Sequence, residues 1–305
     1  MATTMAAPVA NSVSLATKFL PLLDEVYKRE SLTSVLDVAN DRVQFIGAQT
    51  VKVAKIDVDG LGDYSRNAGY VPGSSDISWE LLTLEQDRGR SFNLDVMDND
   101  ETLGVLVGNT LGEFVRTQVV PELDAYRFAK YSANAGTTVT ATLSGSDNIA
   151  DLIQAGEATL DDKEVPYEGR ILFVNPYIYA YLKQDITRYT ANGDPNVNGE
   201  VEMYDDMRVI RVPSGRFNTQ VTLAQPTTAS SAGGYSATGV DINFMIVHPS
   251  AVRQVIKHLA PRLFSPAQVF DADAWRLNYR VYHDCWVLAN KTYGIYLHKK
   301  AAATT

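Results

Sequence analysis

The sequence has few of the residues on which specialised sites and unusual environments depend. Its 305 residues include one cysteine, Cys285, so an internal disulfide cannot form. The 36 acidic residues outnumber the 27 basic ones, and the formal net charge of −9 does not favour binding to nucleic acid or to an anionic membrane. No apolar run approaches the roughly 20 residues that a membrane helix needs. Because the N-terminus also lacks a basic segment before an apolar one, we expect a soluble cytosolic protein without a secretory signal.

Motifs of common catalytic and metal-binding sites are absent as well. The four histidines have neither the H-E-x-x-H pattern nor cysteine-pair spacing. The chain has no G-x-x-x-x-G-K-[ST] phosphate loop and no G-x-S-x-G turn. His283 and Cys285 would share one face of a strand, but packing explains them better than a catalytic dyad does. The sequence therefore predicts no enzyme, no cofactor and no metal.

The stretch EQDRGRSFNLDVMDNDETLG, residues 85–104, is rich in acidic side chains. It does not fit an EF-hand calcium loop, because Thr102 and Leu103 stand where an acidic or amide residue and a glycine belong. An acid/base pair of Asp95 and Asp98 stays possible, although no nearby residues complete a catalytic set. We interpret the stretch as a solvated joint between a strand and a helix, in which residues 98–100 cap the helix.

Two arginines, Arg88 and Arg90, lie within this acidic stretch. In an exposed strand, each would contribute only about 0–1 kcal/mol to the folding of its own subunit. We therefore predict that both arginines matter at an interface between subunits.

Two segments of alternating apolar and polar residues predict a long β-hairpin. They cover residues 49–59 and 77–96, and the gap between them is rich in glycine, aspartate and serine. The alternation changes phase near Ala54, which predicts a β-bulge. Strands of this length would form an arm about 30 Å long. A two-stranded ribbon is marginal in water, so it must rest on its own domain or on a neighbouring copy.

A long helix is predicted from residue 99 to residue 133. Apolar residues recur along it every three or four positions, and Pro121 predicts a kink. Gly104, Gly108 and Gly112 lie on one face of this helix and together cost it roughly 3 kcal/mol relative to alanine. Such a ridge lets another backbone approach closely, so we predict that a second protein element packs there. The alternative is a helix with a weak start.

Shorter elements occupy the rest of the chain. Residues 13–37 predict a thin amphipathic helical arm, which Pro21 kinks or divides. From residue 144, helices and strands alternate in an α/β block that includes a strand followed by a helix within residues 241–258. Residues 227–239 predict a mobile loop of small residues, and residues 275–299 predict β-structure.

The order of these parts resembles the major capsid proteins of tailed bacteriophages, which have the Hong Kong 97-type fold. The segments VVPELDAYRFAKYSA (119–133) and WRLNYRVYHDCWVLANKTYGIYLHK (275–299) are similar to phage capsid sequences of this kind. The resemblance implies an α+β fold with an N-terminal arm, an E-loop hairpin, a P-domain with a long spine helix, and an α/β A-domain. The implied boundaries are 1–45 for the arm, 46–97 for the E-loop, 98–143 for the P-domain with its spine helix, 144–257 for the A-domain, and 258–305 for the return to the P-domain sheet and the C-terminus.

The resemblance also implies a function. The protein would be a structural capsid protein that assembles into hexamers and pentamers of an icosahedral head around double-stranded DNA. Its E-loop would lie across an adjacent subunit, and the implied partners are further copies of the chain, a separate scaffolding protein, a portal and decoration proteins. It would enclose DNA without sequence-specific binding, would contact no membrane, and would be located in the virion after assembly in the host cytoplasm. The candidate interface residues are Arg88, Arg90, Gly104, Gly108 and Gly112.

Three other interpretations stay open. An encapsulin-type bacterial nanocompartment shares the fold and would enclose an enzyme cargo instead of DNA. An enzyme with its site in the α/β block would require convergent polar groups, which the sequence does not show. A tail or fibre adhesin would predict more β-structure and no long helix.

Overall fold

A computed structural model of the chain describes residues 31–37, 44–45, 50–67, 69–97, 105–189, 201–226, 228, 231–269 and 272–302. Most of the predicted N-terminal arm, the predicted cap at residues 98–100 and Gly104 lie outside the described residues. The described end of the arm contains a short 3-10 turn at Ser34–Leu36 instead of an α-helix. Leu36 is buried in the main hydrophobic core, so this turn packs on the rest of the chain.

A three-stranded antiparallel sheet connects the parts of the fold. Its strand order is β12–β13–β4, with β4 at Gln86–Asp95, β12 at Val252–Phe264 and β13 at Ala274–Val287. The pairing of β4 with β13 is continuous over the whole length of β4. The chain therefore places a strand from its first third at the edge of this sheet, beside β13, and sequence spacing alone does not indicate that pairing.

The predicted helix within residues 241–258 is wrong. Strand β11 covers Ile242–Val247, and a 3-10 turn at Pro249–Ala251 leads directly into β12. The segment after the proline pairs with β13 and buries Val252 and Val255. Ladder hydrogen bonds and this burial outweigh the weak local preference for a helix.

The predicted hairpin is present, but its second strand is shorter than expected. Strand β2, Thr50–Val58, pairs with β3, Ser75–Thr83. The segment 77–96 is not one strand, because it breaks after β3 and continues as β4 in the three-stranded sheet. The register between β2 and β3 has no shift, so the predicted bulge near Ala54 is wrong.

The long helix lies against the three-stranded sheet. It consists of α1, Val105–Phe114, a π-helical turn at Val115–Val119, and α2, Val120–Ala133. Pro121 lacks an amide hydrogen, so the regular series of α-helical hydrogen bonds is interrupted at this residue. The interruption takes the form of this π-helical turn. The helix residues that pack with Tyr279 and Val281 of β13 are Leu111, Phe114, Val115, Val119 and Leu123.

A six-stranded mixed sheet forms the second part of the fold, in the order β5–β14–β11–β6–β8–β7. The strands not yet introduced are β5, Thr137–Thr140; β6, Ile171–Val174; β7, Met203–Tyr204; β8, Met207–Arg211; and β14, Ile295–Lys299. The C-terminal segment 275–299 therefore divides between two sheets, because β14 pairs with β11 and β5 instead of returning to the three-stranded sheet.

Helices cover both faces of the six-stranded sheet. Helices α3, Ile149–Asp161, and α4, Pro176–Tyr189, pack with the alternate β6 residues Leu172 and Val174. On the other face, Phe128 of α2 contacts Phe173 with ring centroids 5.1 Å apart. The α/β character predicted for this block is therefore present, and the central strands β6 and β11 are buried along their whole length because both of their faces are covered.

Two small antiparallel pairs complete the described fold. Strand β1, Gln44–Phe45, pairs with β2. Strands β9, Val221–Leu223, and β10, Tyr235–Ala237, pair with each other. The segment 227–239 therefore contains a strand and is not a loop throughout.

Glu157 of α3 generates a prediction about pH. Its carboxyl group hydrogen-bonds that of Asp205, and burial together with this carboxyl raises the pKa of Glu157 to about 7. The protonated carboxyl of Glu157 stabilises the folded state. This contribution is fully present at a pH below the pKa that Glu157 has in the unfolded chain, and it is lost as the pH rises through about 7. We expect Glu157→Gln to unfold at a higher temperature than the parent at pH 8 and at nearly the same temperature at pH 4. An equal gain at both pH values in thermal unfolding would contradict the prediction.

Candidate subunit interface

Arg88 lies on β4, opposite Val281 of β13, on the side of the sheet that contacts the long helix. Its Nε donates to Oε1 of Glu122 at 2.7 Å, and its Nη2 donates to Oε2 at 3.1 Å. Nη1 donates to the backbone oxygen of Ala224 at 2.7 Å. The Arg88 side chain is only 20% exposed, so the exposed position expected for it is wrong. Its role at a subunit interface stays a prediction.

Arg90 binds the same loop as Arg88, the segment that joins β9 to β10. Nη2 of Arg90 donates to the backbone oxygen of Ser231 at 3.1 Å, and Nη2 of Arg88 reaches the backbone oxygen of Gly234 at 3.4 Å. Backbone oxygens are acceptors that every residue type carries, so the loop sequence gave no signal of this contact. The two arginines hold the loop against the sheet and the long helix.

Asp124 of α2 is a further anchor, which the sequence analysis did not identify. Its side chain is fully buried and accepts hydrogen bonds from Oγ1 of Thr33 at 2.7 Å and from the backbone nitrogen of Leu32 at 3.0 Å. Nη1 of Arg216 donates to it at 3.1 Å and balances its charge. These contacts fix residues 31–33 on the long helix. The signal in the sequence was a carboxylate directly between the apolar residues Leu123 and Ala125 of that helix.

The base of the β2–β3 hairpin is packed on its own subunit. Directly opposed residues in an antiparallel pair point to the same face, so Val51 and Leu82 share one face of the ribbon. They are 1% and 7% exposed and pack with Val255 and Leu288.

The distal half of the hairpin has its apolar side chains on the opposite face. These side chains are 58–66% exposed, and we call them the apolar face of the hairpin: Ile56, Val58, Ile77, Trp79 and Leu81. The apolar side chains therefore lie on one face at the base of the hairpin and on the other face in its distal half. This explains, without a bulge, why the alternation of apolar and polar residues changes phase near Ala54. The hairpin therefore has one apolar surface covered by its own sheet and another that the described part of the subunit leaves uncovered.

The glycine ridge of the long helix is only partly within the described residues. Gly104 is outside them, and Gly108 is described only as part of the α1 backbone. Gly112 is exposed, and a Cβ atom at this position would meet nothing within 4 Å. Within the described part of the subunit no element packs on Gly112, so the predicted close packing on this ridge stays a prediction.

The buried polar residues of β13 do not form a reactive site. His283 and Cys285 are 3% and 0% exposed. Burial raises the pKa of the Cys285 thiol to about 12 and lowers that of His283 to about 3, so the thiol is protonated and the imidazole neutral near pH 7. Among the described residues no cluster of three or more potential metal ligands exists, and no helix there is long and apolar enough to cross a membrane.

Comparison with solved structures identifies the architecture. A chain from Mycobacterium phage Che8 matches with a TM-score of 0.68 and 17% identity, over 95% of this chain and 96% of that one. The mature capsid of bacteriophage PhiM1 matches with a TM-score of 0.67 and 14% identity, over 96% of this chain and 93% of that one. The capsid of Cyanophage P-SCSP1u matches with a TM-score of 0.64 and 14% identity, over 94% of this chain and 93% of that one. The chain has a phage capsid fold.

The capsid fold extends over nearly the whole chain, so the hairpin, the long helix and both sheets belong to one architecture. At identities of 14–17% the likeness concerns the fold and not individual side chains. Neither a protein-family model nor a curated protein sequence matches the chain.

The contacts of Arg88 predict that it stabilises the subunit itself. Arg88→Ala leaves the half-buried Glu122 without its partner, and we expect the free energy of unfolding to fall by about 2–3 kcal/mol. Arg88→Lys keeps the charge but not the bidentate contact with Glu122, so its free energy of unfolding should fall by a smaller amount. Chemical denaturation of the purified subunit measures both. A stable Arg88→Ala subunit that forms no assemblies would instead support the prediction that Arg88 matters more for assembly than for the folding of its own subunit.

The open space at Gly112 predicts effects of opposite sign on folding and on assembly. Gly112→Ala should stabilise the isolated subunit by up to about 1 kcal/mol, because alanine is the better helix former and meets no neighbour. If another chain packs on the ridge, the same methyl group should weaken assembly. Thermal unfolding and sedimentation of the same preparation separate the two effects. A variant that is more stable and assembles normally would remove Gly112 from the interface.

Proposed function

We propose that the protein is a major capsid protein, a structural subunit without catalytic activity that assembles into hexamers and pentamers of an icosahedral phage head. Its fold matches phage capsid structures over more than nine-tenths of both chains. The head would enclose double-stranded DNA without sequence-specific contacts. This assignment accounts for the absence of a reactive centre among the described side chains, since the function needs none.

The exposed apolar face of the hairpin is the observation that carries the proposal. Five large apolar side chains lie on one face of a projecting two-stranded ribbon, and in a free subunit their contact with water would be unfavourable. Among the described residues, the hydrophobic contacts of the ribbon with its own subunit lie at its base. A second copy of the chain that covers the apolar face would bury these side chains and would stabilise the ribbon.

The parts of the capsid family can be assigned to the observed elements under this proposal. The β2–β3 hairpin is the E-loop, and the three-stranded sheet with the long helix is the P-domain with its spine. The six-stranded sheet with α3 and α4 is the A-domain, to which β5 and β14 contribute from outside the predicted boundaries 144–257. Residues 1–45 correspond to the N-terminal arm.

The overall charge has a consequence for the packaged genome. With a formal net charge of −9 per chain, a shell of many copies repels DNA on average, so the DNA would be retained by confinement. The partners that the resemblance implies are further copies of the chain, a separate scaffolding protein, a portal and decoration proteins. The protein would assemble in the host cytoplasm and reside in the virion.

Electron microscopy and sedimentation of the expressed protein test the proposal. Closed icosahedral shells are the expected result, and a protein that stays monomeric under all assembly conditions would refute it. The encapsulin-type alternative would also form shells, but the three structures compared above come from phages, which favours a head. Shells purified from an infected host should contain double-stranded DNA and not a protein cargo.

The apolar face of the hairpin predicts a specific assembly defect. Ile77→Asp places a charge on a face that would be buried between subunits, so we expect an intact subunit that forms few or no shells. Ile77 is 63% exposed, so the substitution should change subunit stability little. Ile77→Val keeps the face apolar and is the matched control. Normal shells from Ile77→Asp would show that this face stays in solvent.

A further inference from the structure

A link of two residues, 84–85, joins the hairpin to the three-stranded sheet. Strand β3 ends at Thr83 and β4 begins at Gln86, so the link belongs to neither strand. Within the described part of the chain, it is the covalent connection between the projecting ribbon and the sheet. Because β4 is paired with β13 from its first residue, any change in the direction of the ribbon relative to the sheet must take place at this link.

Side chains from two other elements bind both residues of the link. The hydroxyl of Tyr282, on β13, donates to the backbone oxygen of Leu84 at 3.1 Å. Oδ2 of Asp284, on the same strand, accepts from the backbone nitrogen of Glu85 at 2.9 Å. From the long helix, Nζ of Lys130 lies 3.5 Å from Oε2 of Glu85. Strand β13 and the long helix therefore both hold the link.

The Asp284 carboxylate connects the link to the long helix a second time. Its Oδ1 accepts from the hydroxyl of Tyr126 in α2 at 2.9 Å and from the backbone nitrogen of Cys285 at 2.8 Å. Burial and the neighbouring Asp284 raise the pKa of Tyr126 above its usual value, so the hydroxyl keeps its proton and donates. Asp284 is 1% and Tyr126 7% exposed, so water has little access to these hydrogen bonds. We call Tyr126, Tyr282 and Asp284 the link clamp.

Hydrophobic contact alone does not fix the direction of the ribbon. The base of the hairpin packs on the sheet through an apolar cluster, and apolar packing is non-directional. Hydrogen bonds have preferred distances and angles, so the link clamp restricts rotation at the link. Each strand of the ribbon has nine residues and extends about 30 Å, so a rotation of about 10° at the link moves its far end by about 5 Å.

The direction of the ribbon affects assembly because its exposed apolar face needs a second copy of the chain. An interface between different surfaces of identical subunits closes into a ring only if the rotation from each subunit to the next permits closure. A ribbon that points in one direction restricts this rotation to one value. A ribbon that is free to turn at the link permits several values.

We propose that the link clamp determines the diameter of the shell, because it fixes the angle between the ribbon and the long helix in each subunit. This inference rests on the proposed function and assigns residues to a property that the function leaves open, the geometry of the particle. Tyr126, Tyr282 and Asp284 are positioning residues, which lie inside one subunit and act on its neighbours through the direction of the ribbon. Without the clamp, subunits should still assemble, but into shells of several diameters.

Tyrosine-to-phenylalanine variants test the proposal in assembled particles. Tyr126→Phe with Tyr282→Phe removes one hydroxyl from the long helix and one from β13 and keeps both rings. We expect this double variant to form particles whose diameters, measured by electron microscopy, spread well beyond the single value of the parent. Each single substitution should broaden the distribution less. Tyr296→Phe removes the hydroxyl of a similarly buried tyrosine in the six-stranded sheet and should keep the parental diameter.

Hydrogen exchange in the unassembled subunit tests the link clamp without shells. In Asp284→Ala, the amide of Glu85 loses a charge-assisted hydrogen bond, so its exchange should accelerate by about tenfold or more. The amides of β11 should exchange as slowly as in the parent. Unchanged exchange at Glu85 would show that Asp284 does not hold the link. If β11 also loses protection, Asp284→Ala unfolds the subunit, and the double tyrosine variant is then the test.

The remaining outcomes separate this inference from the proposed function. Particles of one parental diameter from a folded double variant overturn the inference. A folded double variant that forms no particles also overturns it, since the clamp would then control the strength of assembly and not its geometry. If the double variant does not fold by circular dichroism, Glu85→Gln removes the ion pair with Lys130 at a side chain that is 62% exposed and should broaden the diameters by itself. A parent protein without shells refutes the proposed function, whereas faster exchange at Glu85 would still identify the clamp.

Discussion

Strand β13 is the constraint on which the rest of the subunit depends, because both its edges and both its faces are used. Its edges pair with β4 and β12, one face contacts the long helix, and the other holds the base of the hairpin. The buried Asp284 joins these contacts. Its Oδ1 accepts a hydrogen bond from the hydroxyl of Tyr126 at 2.9 Å, and its Oδ2 accepts one from the backbone nitrogen of Glu85 at 2.9 Å. One carboxylate thus fixes the helix and the exit of the hairpin relative to the same strand.

The subunit combines a firmly anchored centre with a projecting element that is incomplete on its own. Buried or half-buried ion pairs, Arg88 with Glu122 and Arg216 with Asp124, hold separate segments on the long helix. Removal of either partner leaves a charge without compensation, so these pairs specify one arrangement of the segments. The distal hairpin has no such anchor within the described residues. Within the described residues, the centre of the subunit is therefore fixed more firmly than the distal hairpin.

Elements with a strong local pattern could be predicted from the sequence. The helix over residues 149–161 begins at Asn148, whose side chain accepts from the backbone nitrogen of Asp151, and the buried strand at Ile171–Val174 is continuously apolar. The elements whose predictions were wrong are strands that pair with strands far away in the sequence. The segment after Pro249 became a strand, and β14 joined the six-stranded sheet, because a strand's partner is chosen by burial and not by neighbouring residues.

The sequence by itself determined the order of hairpin, long helix and α/β block, because amphipathic periodicity, prolines and caps act within a few residues. It also contained the change of phase at Ala54, which local rules cannot distinguish from a bulge. Only the tertiary structure decided which face of the ribbon each half exposes and where Arg88 and Asp124 find their partners. The physical reason is that ion pairs, face assignment and strand pairing depend on residues separated by tens to hundreds of positions, which only the folded chain brings together.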